Sequence, residues 1–143
     1  MQENTGSGLD WKLVLAVTPL GLVFAALTIT GTLDGVRATQ WTALGLLAVV
    51  GGIIGLRAPR RPFRHGLAAG FLAALVAIEA QALFLPIYFA NNPQWADLEM
   101  PFGWSPRLAT AVLGPLNTIL PAVIVGALAW GFSRASRRRG LGS

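Results

Sequence analysis

The chain has no cysteine. Disulfides, thiol nucleophiles and iron–sulfur clusters are thereby excluded. It has a single histidine, His65, set in a basic loop between two apolar stretches. A metal site built on His or Cys has no ligand set to draw on, and no metal or cofactor is expected. Charge is scarce as well, at 12% of the 143 residues, against roughly 25% in an average soluble protein. The cores of the long apolar stretches hold no serine, histidine or aspartate, so no hydrolytic dyad can form there. No glycine loop followed by lysine offers a phosphate cradle. Gly51-Gly52-Ile53-Ile54-Gly55 lies inside an apolar run and is not a nucleotide loop. The inventory argues against an enzyme.

The missing charges define four segments. Residues 13–31, 42–56 and 108–132 carry none, and 66–90 carries only Glu79. A helix crosses ~30 Å of hydrocarbon in about 20 residues. The second segment reaches that length when taken as 38–56, which is uncharged. The four read as transmembrane helices at approximately 11–32, 41–57, 66–90 and 107–132. The expected fold is an all-α, integral membrane, antiparallel four-helix bundle, a single membrane domain over 1–143. The first segment lacks a basic leader and a small-residue cleavage site, so it reads as a retained span.

The net charge of +5 follows topology and implies no nucleic-acid partner. Arg57, Arg60, Arg61 and Arg64 lie between spans two and three, and Arg134, Arg137, Arg138 and Arg139 follow span four. The opposite loops hold Arg37 and Arg107 with Asp34, Asp97 and Glu99. The positive-inside rule places the N and C termini in the cytoplasm, and the setting is read as a bacterial cytoplasmic membrane. The eight arginines serve topology, with contact to anionic lipids at the cytoplasmic face as a sharper reading.

Prolines and glycines punctuate the spans. Pro19 followed by Gly21 should bend span one. Asp34-Gly35 is a turn signal. Gly51 and Gly55 have the spacing that lets helix backbones approach closely. Pro59 and Pro62 stiffen the basic loop, so spans two and three should form a tight hairpin. Asn92-Pro93 predicts a helix start, with Asn as cap and Pro at the first position. Trp95, Leu98, Met100, Phe102 and Trp104 give the segment 92–104 an apolar side, and Asp97 and Glu99 a wet one. A short interfacial helix on the outer surface is expected there, as a connector or as a lid or partner-facing surface. Gly114-Pro115 and Pro121 should loosen span four around Asn117 and Thr118. This is a plain kink, or the interrupted helix that marks substrate sites in transporters.

Glu79 is the one acidic or basic residue inside the apolar core of a span. On span three, Gly66, Gly70, Ala73, Ala77, Gln81, Phe84 and Tyr88 follow helical spacing as a small-residue stripe. Leu72, Leu75, Val76, Glu79, Leu83 and Pro86 form another. Residues two apart on a helix point about 200° apart. Gln81, with Tyr88 as a second polar face, and Glu79 therefore cannot face the same neighbour. One belongs to the interior, and the other needs a partner in another protomer, another subunit or a water-filled cavity. Counted from the outer ends, Glu79 lies 11 residues before Ala90 and Asn117 lies 10 after Arg107. Both then lie roughly 15 Å deep. If spans three and four are neighbours, Glu79 could bond Asn117 or Thr118.

The hairpin of spans two and three resembles a family of uncharacterised small four-span bacterial integral membrane proteins. The stretches that carry the likeness are Gly51-Gly52-Ile53-Ile54-Gly55-Leu56-Arg57, Pro62-Phe63-Arg64-His65-Gly66-Leu67-Ala68-Ala69-Gly70 and Tyr88-Phe89-Ala90-Asn91-Asn92-Pro93. The resemblance as a whole covers about a third of the chain. The resemblance implies four-span topology and carries no activity. The expected function is that of a non-enzymatic integral membrane protein, an oligomeric or accessory subunit of a membrane complex. Homo-oligomers or other membrane subunits, with the bilayer, would be its partners. The alternative is a small proton- or cation-coupled transporter or channel using Glu79, Asn117 and Thr118.

Overall fold

The structure is a computed structural model that describes residues 8–33, 35–58, 60–97 and 99–138. Asp34, Pro59, Leu98 and Arg139, singled out above, lie outside the described residues. Among those described, all regular structure is helical: α1 (Trp11–Val17), α2 (Pro19–Ile29), α3 (Gly35–Arg57), α4 (Pro62–Leu83), α5 (Leu85–Asn91), α6 (Pro106–Asn117) and α7 (Ile119–Arg138), with 3₁₀ turns at Pro93–Trp95 and Pro101–Gly103. Four lengths are long and apolar enough to cross a membrane: Trp11–Ile29, Gly35–Arg57, Pro62–Leu83 and Pro106–Arg138.

Proline sets each break. It lacks an N–H, and its ring crowds the carbonyl four residues back. Pro19 ends α1 at Val17 as expected, and the Thr18 hydroxyl donates to the Val14 carbonyl at 3.1 Å. Pro121 crowds the carbonyl of Asn117, and α6 gives way to α7 at Thr118. Span three differs from the unbroken helix expected over 66–90. Pro86 interrupts it, and Phe84 leaves helical geometry at φ −103° and ψ 27°. The outer segment 92–104 is also not the expected interfacial α-helix. Pro93 and Pro101 each open only a 3₁₀ turn, and Phe102 and Gly103 take left-handed φ values of 60° and 68° that no α-helix continues.

Contacts give the topology. Gly21 abuts the Ala73 carbonyl, and Gly31 lies against Asn91, so spans one and three run parallel. Gly51 meets Leu128 and Gly55 meets Phe132, so spans two and four do too. Gly66 meets Ala129 while Gly70 meets Ala122, so α4 and α7 are antiparallel. The spans thus alternate in direction. Spans two and three each touch all the others, and spans one and four occupy far corners.

Span three sits centrally, and the small residues on its inner face let its neighbours close on it. Gly66, Gly70, Ala73 and Ala77 are buried, as the small-residue stripe predicts. A Cβ added at Gly66 would lie 2.7 Å from the Val125 carbonyl oxygen, and one at Gly55 would lie 2.8 Å from Phe132 Cβ. Most of the interior is glycine, alanine and valine, with Ile54 its largest fully buried side chain, while Leu22, Leu44, Leu83, Ile119 and Leu120 stand exposed on the outside. Small inside and large apolar outside is the pattern of helices packed within lipid.

His65 corrects the sequence reading. It is not in the loop: α4 begins at Pro62, which puts His65 in its first turn, 1% exposed. The backbone N–H of Asp10 donates to Nε2 at 2.7 Å. Nε2 therefore carries no proton, and Nδ1–H donates to the Arg61 carbonyl at 3.1 Å. Asp10 caps α1 by accepting from the Leu13 N–H. One imidazole thus ties the start of span one to the start of span three.

Candidate functional site

The polar centre of the bundle is Gln81, not Glu79. Thr28, buried on α2, gives its hydroxyl proton to the Ala25 carbonyl at 2.9 Å. Its oxygen is then free to accept, and Gln81 Nε2 donates to it at 2.9 Å. This fixes the amide's orientation, with nitrogen toward Thr28 and oxygen turned away. Gln81 Oε1 has no hydrogen-bond partner among the described residues. Asn92, buried, continues the seam: its Nδ2 donates to the carbonyls of Thr28 and Tyr88, both at 2.8 Å. It does not cap the following turn as expected, because these carbonyls claim its side chain. Asn91 Nδ2 donates to the Ile29 carbonyl at 2.8 Å.

Two cavities share Gln81 and Ile78 as wall. One, of about 160 Å³, lies between α2, α3 and α4, lined by Phe24, Ala43, Leu47, Ala74 and Ala77, with Gln81 as its polar group. It exists because of the break at Thr118: α7 lies against both α3 and α4, whereas α6 has α4 as its main partner. The outer half of α3 is left with a gap beside it. The other cavity, of about 280 Å³, lies between α4, α6 and the outer segment, where Thr110 and Asn117 join Gln81 beneath Met100 and Pro101.

The constellation expected from depth counting does not form. Spans three and four are neighbours, but Gly114 meets Ile78 and Arg107 Nη2 reaches the Leu83 carbonyl at 3.5 Å. That antiparallel register puts Asn117 about one turn deeper than Glu79. Counting from Ala90 missed this because the break at Phe84 separates α5 from α4 and the count ran through both. Thr118 is buried and donates to the Pro115 carbonyl at 2.6 Å. Asn117 is exposed on the cavity it shares with Gln81. Glu79 is half-buried on the opposite side of α4 and makes no hydrogen bond among the described residues. Tyr88 is half-buried on α5, beyond the break that ends the small-residue stripe.

At the outer end Phe102 is exposed, with its ring 5.5 Å from that of Trp104, and Trp95 is half-buried. At the other end Arg57, Arg60, Arg61, Arg64, Arg134, Arg137 and Arg138 are exposed, and Arg134 lies over the Trp130 ring at 4.3 Å. The described residues hold no cluster of His, Asp and Glu suited to a metal.

Sequence reasoning missed His65 and Asn92. Proline at the first helical position could have placed His65 one turn inside α4, on the side of Ala69. Nothing local marks Asn92 as a clamp, since its partner carbonyl lies 64 positions away. No family model, curated protein or solved structure matches this chain.

Proposed function

We propose that the protein is a non-enzymatic integral membrane subunit that assembles through the outward face of span three, with itself or within a larger membrane complex. The observation that carries this reading is Glu79. The Gln81 amide nitrogen is held inside the bundle by Thr28, and the Glu79 carboxyl, nearly opposite on the same helix, has no partner among the described residues. An ionisable side chain at mid-span costs roughly 2.5–3.5 kcal/mol on insertion scales. A neighbouring protomer or subunit that hydrogen-bonds it removes that cost. Phe102 in the outer segment is exposed, as a partner-facing surface there requires. Arginine placement supports cytoplasmic termini in a bacterial cytoplasmic membrane and a grip on its anionic lipids.

Mass measurement in a mild detergent or in nanodiscs tests the assembly. A multimer, or a complex with other membrane proteins, is expected for the wild type and for Glu79→Gln, which keeps the hydrogen bonds. Glu79→Leu should weaken it by about tenfold or more. A clean monomer without a co-purifying partner would refute the reading. The transport alternative needs a water path to Glu79, and neither cavity above is lined by that residue.

A further inference from the structure

We infer that His65 is a proton-operated latch: the neutral imidazole holds the start of α1 to the start of α4, and the imidazolium lets it go. The inference is independent of the assembly reading, since Glu79 takes no part in it.

The ring is built into the seam on both sides. It is 1% exposed and belongs to the chain's single histidine. Nδ1 lies 3.1 Å from the Arg61 carbonyl, which also accepts the backbone N–H groups of Arg64 at 3.0 Å and His65 at 3.3 Å. Arg61 itself is left-handed, at φ 51° and ψ 53°, which is uncommon for a residue with a side chain. Its guanidinium lies beside Gly8, where an added Cβ would sit 3.4 Å from Nη1. The other ring nitrogen, Nε2, accepts from the Asp10 N–H at 2.7 Å. The stretch from Gly8 to Asp10 therefore meets α4 at the Arg61 side chain and at the His65 ring.

A peptide N–H can only donate, so its bond to Nε2 exists only while Nε2 carries no proton. Protonation aims one donor at another across 2.7 Å, and the contact must open. The Nδ1–H bond to the Arg61 carbonyl is made in both charge states, so the ring stays on α4 and Asp10 is released. Asp10 caps α1 through its carboxylate, so the first turn of α1 loosens with it. The charged groups on the elements meeting at this end are Asp10 and Lys12 at the start of α1, Arg57 and Arg60 at and after the end of α3, Arg61 and Arg64 at the start of α4, and Arg134, Arg137 and Arg138 on α7. Asp10 is the one anion in that set. Turning its carboxylate to take the Nε2 proton would draw it off the Leu13 N–H, which loosens the same turn. These charges set where on the pH scale the latch works, and the geometry sets what it does.

The test uses the full chain in neutral phospholipid nanodiscs with the imidazole labelled with nitrogen-15, which a single histidine makes unambiguous. At about pH 8 Nδ1 is expected protonated and Nε2 bare. Between about pH 8 and about pH 5, the range in which histidine charges, both nitrogens should become protonated. In step with that change, the amides of residues 13–17 should lose protection against hydrogen exchange by about two- to tenfold, the size of one hydrogen bond. Protection is taken relative to the intrinsic exchange rate at each pH, and the amides of α7 should keep theirs. His65→Gln offers Asp10 an acceptor and has no proton to gain, so its α1 protection should not vary over the same range. A proton on Nε2 at about pH 8, a ring still neutral at about pH 5, α1 protection that ignores the charge of the ring, or an equal fall in His65→Gln overturns the proposal.

Discussion

Replacing His65 by leucine should loosen the protein at one place before it loosens the whole. The imidazole is 1% exposed and holds two hydrogen bonds, from the Asp10 N–H at 2.7 Å and to the Arg61 carbonyl at 3.1 Å. Each such bond contributes about 0.5–1.5 kcal/mol net. Leucine is close in volume, so little cavity forms. The Asp10 N–H also loses its acceptor at the very residue that caps α1, but Asp10 is exposed and water replaces part of that bond. The two lost bonds together give roughly 1–3 kcal/mol. Glutamine at 65, whose carbonyl oxygen can accept from Asp10, should recover about half. Amide exchange reads the local effect. The N–H groups of residues 13–17 in α1 should exchange tens of times faster in His65→Leu, while those of α7 follow only the global change. Steric-trap or denaturant unfolding in bicelles reads the total. If α1 exchange is unchanged and stability falls by less than ~0.5 kcal/mol, the imidazole is not a tie and the argument fails.

Three further outcomes follow from the packing and the charges. Gly55→Leu should cost about 1–3 kcal/mol by overpacking against Ala129 and Phe132, whereas Gly45→Ala, whose Cβ would meet nothing within 4 Å, should be neutral or stabilising by up to ~1 kcal/mol. A thermal-aggregation assay in detergent separates the two. Thr28→Val, which keeps shape and removes the acceptor of Gln81, should cost about 0.6 kcal/mol and at most ~1.7, the range of hydrogen bonds between membrane helices. The same assay checks it, with Gln81→Leu and the double variant closing a cycle. Replacing Arg134, Arg137, Arg138 and Arg139 by Gln should leave the bundle folded while lowering retention on anionic vesicles at low salt, since each arginine contributes on the order of 1 kcal/mol at such a surface. Unchanged retention would assign the tail to a protein partner or to stop-transfer alone.

Hydropathy alone determined that there are four apolar helices, because the free energy of removing a charge from a long helix is local and additive along the chain. Proline placement determined the breaks at Thr18 and Thr118 for the same reason: the clash and the missing N–H act within one turn. The two stripes of span three were also legible, and with them the fact that Gln81 and Glu79 face apart. What the sequence left open is which of them faces in. The tertiary structure decided it, because Gln81 meets the Thr28 oxygen on another helix and the glycine face it shares must be buried for the backbones to close. The same holds for His65 and Asn92, whose partners lie 55 and 64 positions away. The depth match of Glu79 with Asn117 failed for a related reason. Register between helices is set by where glycines admit side chains, as Gly114 admits Ile78, and by breaks such as that at Phe84, and no count along one strand of sequence contains it. The two cavities are likewise tertiary: they come from α6 turning off α3 at the Thr118 break, a direction that a proline makes available but that only the packing of α7 selects.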